Sequence, residues 1–193
     1  MRKQLLRQFL KKIVKLLVSG IDDGYFPLKY KGRNGRTVML SVVFKDYDII
    51  DIDFDFIIVD GDDGTSVLNS LQTGDVCILD GLTFGGFNFV NPSELKSKYI
   101  IFYSSKPNIF KITRALDRHF NDERRDIIIN VISNLTRVST LRGDVYIYTN
   151  LDLKMAKNII EEYQVFDRIP LPLKIAHEIS SSLSTFLLSK KII

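Results

Sequence analysis

The sequence predicts a mixed α/β fold, in which a β-sheet carries helices on its faces. Short apolar, β-branched segments alternate along the chain with segments of helical periodicity. The 193 residues are 45% hydrophobic and 26% charged, which is the profile of one globular domain with a sizeable core. No internal repeat or low-complexity linker divides the chain. We therefore expect a single domain over residues 1–193, with a short basic segment at about residues 1–12.

Five apolar segments in the first half of the chain have the length and composition of strands. The first ends at a turn that contains Asp22 and Gly24, and the Asn34-Gly35 pair is typical of a hairpin that leads into the second. The third alternates apolar and acidic residues before it becomes wholly apolar. We expect this strand to have one solvent-facing side near its start and two covered sides near its end. The five segments are residues 13–22, 37–44, 50–60, 76–81 and 98–105.

The remaining segments alternate in the same way. Residues 126–139 and 144–150 are rich in β-branched and aromatic residues, which indicates two further strands. Thr65 or Ser66 is the expected cap of a short helix, and prolines open two of the longer ones. The predicted helices are residues 65–71, 106–120, 153–164 and 170–188.

The composition also indicates the compartment. Cys77 is the single cysteine, so no internal disulfide is possible and a reducing cytoplasm is the natural interpretation. No apolar run reaches the roughly 18 residues that a membrane span needs, and no secretory signal opens the chain. We expect a cytoplasmic protein without a membrane partner.

The net charge of +4 is unevenly distributed. The first 15 residues contain six basic residues and no acid, whereas Asp46 to Asp63 contains eight aspartates and no base. The basic segment predicts a helix whose cations lie opposite an apolar face, formed by Leu6, Phe9, Leu10 and Ile13. This helix either packs on the domain as a surface helix or meets a phosphate backbone or an anionic membrane.

Four aspartates follow apolar strands, where ligands collect in open α/β sheets. They are Asp22, Asp60, Asp63 and Asp80. If their strands adjoin, the carboxylates converge on one point, and oxygen ligands of this kind suit Mg²⁺ or Mn²⁺. The alternative is that each aspartate caps a helix or forms an Asx turn. The sequence lacks the cysteines and closely spaced histidines of a zinc site.

Five motifs carry a resemblance that covers Ser19 to about Ile179. The motifs SGIDDGYF, VDGDDGTS, LDGLTFGGFNFVN, KPNIFKITRALDRHF and RIPLPLKIAH occur in this order. The chain resembles an archaeal family of deoxyuridine endonucleases, which is similar to endonuclease V and has a ribonuclease H-like fold. The resemblance implies a mixed sheet flanked by helices and a Mg²⁺-dependent endonuclease that nicks DNA near deaminated bases.

The resemblance also implies site residues. Asp22 and Asp80 match the first-strand aspartate and the DG-turn aspartate of endonuclease V. Endonuclease V has a glutamate just ahead of a helix, and of the three aspartates available here we favour Asp63, with Asp60 second. His177 matches the residue on the last helix that completes such sites. The Pro-Tyr-Ile-Pro wedge of endonuclease V is absent, so lesion recognition must use other residues.

Several residues are candidates for contact with the substrate. Lys106 is a candidate for stabilising a phosphate, although a solvated lysine before Pro107 is equally consistent with the sequence. Loop aromatics near the acids either stack on an extruded base or pack on the core, and the glycines allow the backbone to approach a phosphate. These loop residues are Tyr25, Phe26, Phe84, Gly85, Gly86, Phe87 and Asn88. The basic residues expected to give salt-sensitive DNA affinity are Arg2, Lys3, Lys29, Lys31, Arg33 and Arg36.

Two other functions remain open at this point, because a fold does not fix a function. One is a nucleic-acid-binding or protein-interaction module that keeps the ribonuclease H-like fold without the chemistry. The other is a phosphatase that acts on small phosphate esters.

Overall fold

The computed structural model describes residues 16–193, so the basic segment with its predicted helix, including Arg2 and Lys3, lies outside the described residues. The strands are β1 (Leu17–Asp23), β2 (Arg36–Lys45), β3 (Asp48–Ile58), β4 (Val76–Asp80), β5 (Thr83–Phe84), β6 (Asn88–Phe89), β7 (Lys98–Tyr103), β8 (Thr136–Thr140) and β9 (Gly143–Thr149). The helices are α1 (Gly64–Ser70), α2 (Ile109–His119), α3 (Arg124–Ser133), α4 (Leu153–Tyr163) and α5 (Leu171–Ser189).

A seven-stranded mixed sheet with the order β3-β2-β1-β4-β7-β9-β8 forms the centre of the fold. β1, β4 and β7 run parallel to one another, and the other neighbouring pairs are antiparallel. Buried residues of α4 and α5 pack on one face, and buried residues of α1, α2 and α3 pack on the other. The predicted mixed sheet flanked by helices is therefore confirmed. Within residues 16–193, no helix combines the length and the apolar content needed to cross a bilayer.

Helix α5 lies directly on β1. A Cβ atom placed on Gly20 would come within 2.1 Å of the carbonyl oxygen of Pro172, so only glycine allows this approach. The close contact brings the first turns of α5 next to the carboxyl end of β1. This placement matters for the site, since His177 lies on α5 and Asp22 lies on β1.

Residues 126–133 form helix, where the sequence predicted a strand. They belong to α3, and its buried residues Ile128, Val131 and Ile132 follow helical spacing. The β-branched composition of this segment suggested a strand, but packing of one apolar stripe against the sheet overrides such a preference. The strand predicted for the same region is limited to β8.

The hairpin predicted at Asn34-Gly35 is also different in the structure. The connection from β1 to β2 runs from residue 24 to residue 35 and contains a short 3-10 turn at Leu28–Tyr30. The tight turn joins β2 to β3 instead, where Asp46 adopts a positive φ of 57°. Aspartate tolerates this left-handed conformation better than most residues.

Strand β3 is an edge strand, and its early part is more exposed than its sequence suggested. Ile52 is 45% exposed, although the alternation predicted a covered side for it. The carboxylates of Asp51, Asp53 and Asp55 each accept a hydrogen bond from the backbone N–H of the following residue, at 2.7 to 2.9 Å. Occupied donors and exposed charges hinder the addition of another strand to such an edge.

Candidate active site

A cavity of about 470 Å³ opens at the carboxyl ends of β1 and β4. Ile21 and Leu79 are paired across these neighbouring parallel strands, so Asp22 and Asp80, the next residues, reach the same edge of the sheet. The residues that line the cavity are Asp22, Asp23, Gly24, Tyr25, Asp80, Gly81, Tyr103, His177 and Ser181. Three sequence candidates, Asp22, Asp80 and His177, are therefore brought together.

His177 contacts Asp22 across the gap between α5 and β1. Its Nδ1 atom lies 2.7 Å from the Asp22 Oδ2 atom. This hydrogen bond raises the pKa of His177 above its ordinary value, so the ring holds its proton more firmly and Nδ1–H donates to the carboxylate. The His177 side chain is still 59% exposed. Its second nitrogen is therefore free to meet a ligand in the cavity.

The carboxylates of the cavity are short of compensating charge. Burial raises the pKa of Asp22 despite its bond to His177. Burial and the nearby charge of Asp22 raise the pKa of Asp23 to about 7 and that of Asp80 to about 6, although Asp80 keeps an exposed edge at the cavity mouth. Like charges held together in a poorly solvated space favour either protonation or the arrival of a cation.

Sequence reasoning missed Asp23. Its Oδ2 atom accepts a hydrogen bond of 2.7 Å from the backbone N–H of Gly85, which ties the glycine loop to the cavity. The Asp-Asp doublet at the end of the first strand was the available signal.

Tyr103 was also missed. It ends β7, the parallel neighbour of β4, and lines the cavity beside Asp80. Its hydroxyl accepts a hydrogen bond of 3.1 Å from the backbone N–H of Leu82. Burial raises the pKa of Tyr103 to about 12. The phenol therefore stays neutral at physiological pH, and its O–H remains free to donate.

Asp60 and Asp63 do not line this cavity. Asp60 accepts hydrogen bonds of 2.9 Å from the backbone N–H groups of Gly32 and Phe87. Asp63 accepts one of 3.2 Å from the backbone N–H of Ile58 and another from the Asn88 side chain. β2 and β1 separate β3 from β4, so the end of β3 lies away from the other strand ends.

A buried arginine supports this second group of acids. Arg124 has no exposed surface, and its Nη1 atom donates hydrogen bonds of 3.0 Å to the carbonyl oxygens of Asp60 and Phe87. Its Nε atom donates to Asp122 at 2.7 Å, and its guanidinium carbon lies 4.2 Å from the centre of the Phe120 ring. Arg124 was not a candidate from the sequence, because it lies between the helix predicted over residues 106–120 and the strand predicted over residues 126–139.

The other candidates for substrate contact have different placements. Tyr25 lines the cavity and is 57% exposed, and Phe26 follows it half-buried. Phe84 is fully buried in the core, and Phe87 packs against Phe120 with 5.3 Å between ring centres. Lys106 is exposed in the connection after β7.

The glycine loop and Asn88 are used within the fold. The side chain of Asn88 accepts a hydrogen bond of 2.9 Å from the backbone N–H of Gly64. Gly85 donates to Asp23, as described above. Gly86 has a φ of 88°, and a Cβ atom there would lie 2.4 Å from the Asp60 carboxylate. Only glycine leaves room for that carboxylate.

The donor set fits a hard divalent cation in kind. Asp22, Asp23 and Asp80 supply oxygen atoms, which are the ligands that such a cation prefers. Burial raises the pKa of all three carboxylates, and neighbouring carboxylates raise those of Asp23 and Asp80 further, so a cation among them would be stabilising. Within residues 16–193, no three His, Cys, Asp or Glu side chains are already gathered at the spacing that would hold a metal ion. The carboxylates would thus have to draw together to share one.

The sequence matches the family described as Endonuclease dU over residues 15–184. The chain belongs to this endonuclease family. A protein of Sulfurisphaera tokodaii described as a UPF0215 protein is 99% identical over 178 residues, which is 92% of this chain and 100% of that protein. A UPF0215 protein of Thermococcus sibiricus is 30% identical over 87% of this chain and 92% of its own length. The predicted membership of a deoxyuridine endonuclease family is confirmed.

Solved structures resemble this endonuclease dU family member in fold. A protein of unknown function from Archaeoglobus fulgidus gives a TM-score of 0.73 at 24% identity, covering 88% of this chain and 98% of that one. Endonuclease V from Bacillus subtilis gives 0.59 at 12% identity, covering 90% and 83%. Endonuclease V from Ciona intestinalis, in complex with an inosine-containing DNA, gives 0.51 at 14% identity, covering 97% and 99%. The predicted endonuclease V-like fold is confirmed.

Proposed function

We propose that the chain is a Mg²⁺- or Mn²⁺-dependent endonuclease that hydrolyses phosphodiester bonds of DNA near deaminated bases such as deoxyuridine. One observation carries the proposal. Asp22 and Asp80 end neighbouring parallel strands in one open cavity, and His177 faces them from α5. Membership of the endonuclease dU family supports the reaction class. A lone, buried and free Cys77 supports a reducing cytoplasm as the place of action.

Asp22, Asp23 and Asp80 are the residues that would hold the cation. Asp60 and Asp63 are left out, because their oxygen atoms already accept hydrogen bonds from backbone N–H groups and Asn88. A bound divalent cation would supply a Lewis acid that activates water and neutralises charge on the phosphate.

The protein groups around the carboxylates have separate tasks. Asp22 orients His177, and their hydrogen bond raises the pKa of His177, which favours the protonated ring. The exposed nitrogen of His177 donates to a phosphate oxygen or to the leaving oxygen. Tyr103 stays neutral and presents an O–H donor to the same space. These donors stabilise negative charge that develops on the phosphate.

Exposed basic residues support a nucleic acid as the substrate. Lys29, Lys31, Arg33 and Arg36 lie on the connection from β1 to β2 and at the start of β2. This connection begins at the cavity, since Gly24 and Tyr25 line it. Contacts of this type with phosphates weaken as salt rises.

The test is nicking of matched DNA oligonucleotides with and without one deoxyuridine. Wild-type protein should nick the deoxyuridine strand in Mg²⁺ or Mn²⁺ and not in EDTA. Asp80→Asn should lower the rate by at least about 100-fold, a loss typical of one essential charge-stabilising group. Asp62→Asn is the matched control, because Asp62 is exposed and lies outside the cavity. Cleavage in EDTA, or full activity of Asp80→Asn, would contradict the proposal.

One observation favours a non-catalytic nucleic-acid-binding module as the second candidate. Among the described residues, no three potential ligands are already arranged for a metal ion. One experiment, which measures oligonucleotide binding and cleavage with and without divalent metal, distinguishes the two functions. Oligonucleotide binding that persists in EDTA, with no cleavage in any divalent metal, would establish the module and reject the nuclease.

A further inference from the structure

A second cavity, of about 480 Å³, lies against the first. Asp80 and His177 line both, so these two side chains form a shared wall. The second cavity is mainly apolar, with Phe166, Ile169 and Leu171 among its lining residues. A mostly apolar cavity beside polar reacting groups is the usual form of a binding site for a small planar group.

Phe166 is an exposed aromatic residue in the wall of this cavity. Its side chain is 70% exposed, and it lies in the connection between α4 and α5. Phenylalanine side chains are usually buried, whereas this one forms part of the wall of an open cavity. Among the sequence candidates, Phe84 is buried in the core and Phe87 packs against Phe120. Tyr25 is exposed as well, at 57%, but it lines the first cavity.

The backbone that carries Phe166 is held in place by hydrogen bonds on both sides. Arg142 donates from its Nη2 atom to the Val165 carbonyl at 2.8 Å. The Gln164 side chain donates to the Arg168 carbonyl at 2.7 Å, and the backbone N–H of Ile169 donates to Asp167 at 2.8 Å. The ring is thus presented on a fixed segment, which lowers the entropy cost of stacking a ligand on it.

A cation lies beside the ring. The Nζ atom of Lys174 is 5.9 Å from the centre of the Phe166 ring and also forms an ion pair with Asp167. Lys174 lines the cavity from α5, one turn before His177. An aromatic face with an adjacent ammonium group suits a base that is still attached to its phosphate backbone.

We propose that this second cavity receives the unpaired base next to the scissile phosphate, stacked on Phe166. The inference rests on the proposed nuclease function, because it requires a DNA strand in the first cavity. The shared wall of Asp80 and His177 places the base site directly beside the reacting groups. Binding of the extruded base then aligns the scissile phosphate with the reacting groups. An abasic position has no base to bind in this way.

The first test compares nicking of two oligonucleotides that carry deoxyuridine or an abasic site at the same position. Wild-type protein should prefer the base-bearing strand by about tenfold, the order expected for one stacked base. Phe166→Ala should reduce this preference to about one without slowing cleavage of the abasic strand, and Phe166→Trp should retain it. Phe186→Ala is the control, because Phe186 is also exposed, at 55%, but lies at the other end of α5.

The second test needs no cleavage and separates this inference from the nuclease proposal. Oligonucleotides with 2-aminopurine at the target position are bound in Ca²⁺ or EDTA, and base extrusion is followed by fluorescence. A fluorescence change that wild type and Phe166→Trp produce and Phe166→Ala loses supports the base site, even if no variant cleaves DNA. Nicking by Phe166→Ala with unaltered preference and unaltered fluorescence overturns it, and is the result expected if the cavity serves a protein partner.

Discussion

Two groups of aspartates follow apolar strands in this protein, and they differ in what their oxygen atoms contact. Asp22, Asp23 and Asp80 face an open cavity with few donors, and their pKa values are raised. Asp60 and Asp63, after β3, accept hydrogen bonds from backbone N–H groups. Acidic residues after a strand are therefore the better candidates for a ligand site where the fold leaves their charge uncompensated.

The difference arises from strand order and from one arginine. β1 and β4 are neighbours, so their terminal acids share a cavity. β3 is an edge strand, and the loop after it is drawn to the glycine loop by Arg124, which donates to the carbonyls of Asp60 and Phe87. In the crowded VDGDDGTS motif, the carboxylates of Asp60 and Asp63 thus accept hydrogen bonds from backbone N–H groups, and the buried guanidinium of Arg124 holds the Asp60 carbonyl.

The first prediction concerns the nicking rate, which should depend on Asp22 far more than on Asp63. Asp22→Asn should lower the nicking rate at least about 100-fold, because it removes a ligand charge and the partner that orients His177. Asp63→Asn should lower it less than about tenfold, because an amide oxygen still accepts from Ile58. Rates measured on the deoxyuridine strand at saturating Mg²⁺ give the ratio. Equal losses in both variants would instead make Asp63 a ligand, as the endonuclease V pattern suggests.

The second prediction concerns the free energy of unfolding, which should depend on the acids that follow β3. Asp60→Ala should lower the free energy of unfolding by about 1–3 kcal/mol, since the buried Asp60 carboxylate accepts two part-buried hydrogen bonds, from the backbone N–H groups of Gly32 and Phe87. Denaturant titration in EDTA measures this. Asp80→Asn is the matched comparison and should leave stability unchanged or raise it, because it removes one repelling charge. A loss of 2 kcal/mol or more in Asp80→Asn would argue against uncompensated charge in the cavity.

The sequence predicted some parts of this arrangement and not others, because each sequence pattern carries only local information. Apolar length and β-branching located most strands, and the acids that follow them gave the candidates Asp22, Asp60, Asp63 and Asp80. The resemblance to endonuclease V favoured Asp22, Asp63, Asp80 and His177. Strand order is absent from the sequence, so it could not tell that β3 lies away from the cavity and that Asp60 points elsewhere. Asp23 and Tyr103 became visible only when the strand ends were placed side by side. In α3, local composition suggested a strand because tertiary packing does not appear in it.

A third prediction concerns how the stability of the metal-free protein depends on pH. An unfolded aspartate has a pKa of about 3.9, whereas Asp23 and Asp80 titrate at about 7 and about 6 in the fold. Between pH 4 and 7 the folded state therefore binds more protons, and stability falls as the pH rises. His177 acts in the same direction, since its folded pKa is also raised. Denaturation midpoints in EDTA should decrease from about pH 5 to pH 7.

The cavity acids can be assigned as the source of this slope. Asp23→Asn should flatten it, because Asp23 is the carboxylate whose pKa is raised to about 7. Added Mg²⁺ should restore more stability at pH 7 than at pH 5, because the cation competes with protons for the same oxygen atoms. A midpoint that rises with pH across this range in EDTA would mean that the carboxylates are already compensated.

The smallest effect tests the third aspartate of the crowded motif, which belongs to neither group. Asp62 is exposed and forms an ion pair of 2.7 Å with Arg33, whose side chain is 51% exposed. Exposed pairs of this kind contribute about 0–1 kcal/mol, because solvent screens them. Asp62→Asn should therefore change the free energy of unfolding by less than about 1 kcal/mol, with nicking unaltered at moderate salt. A larger loss of stability would show that charge at this loop matters even where neither burial nor backbone donors fix it.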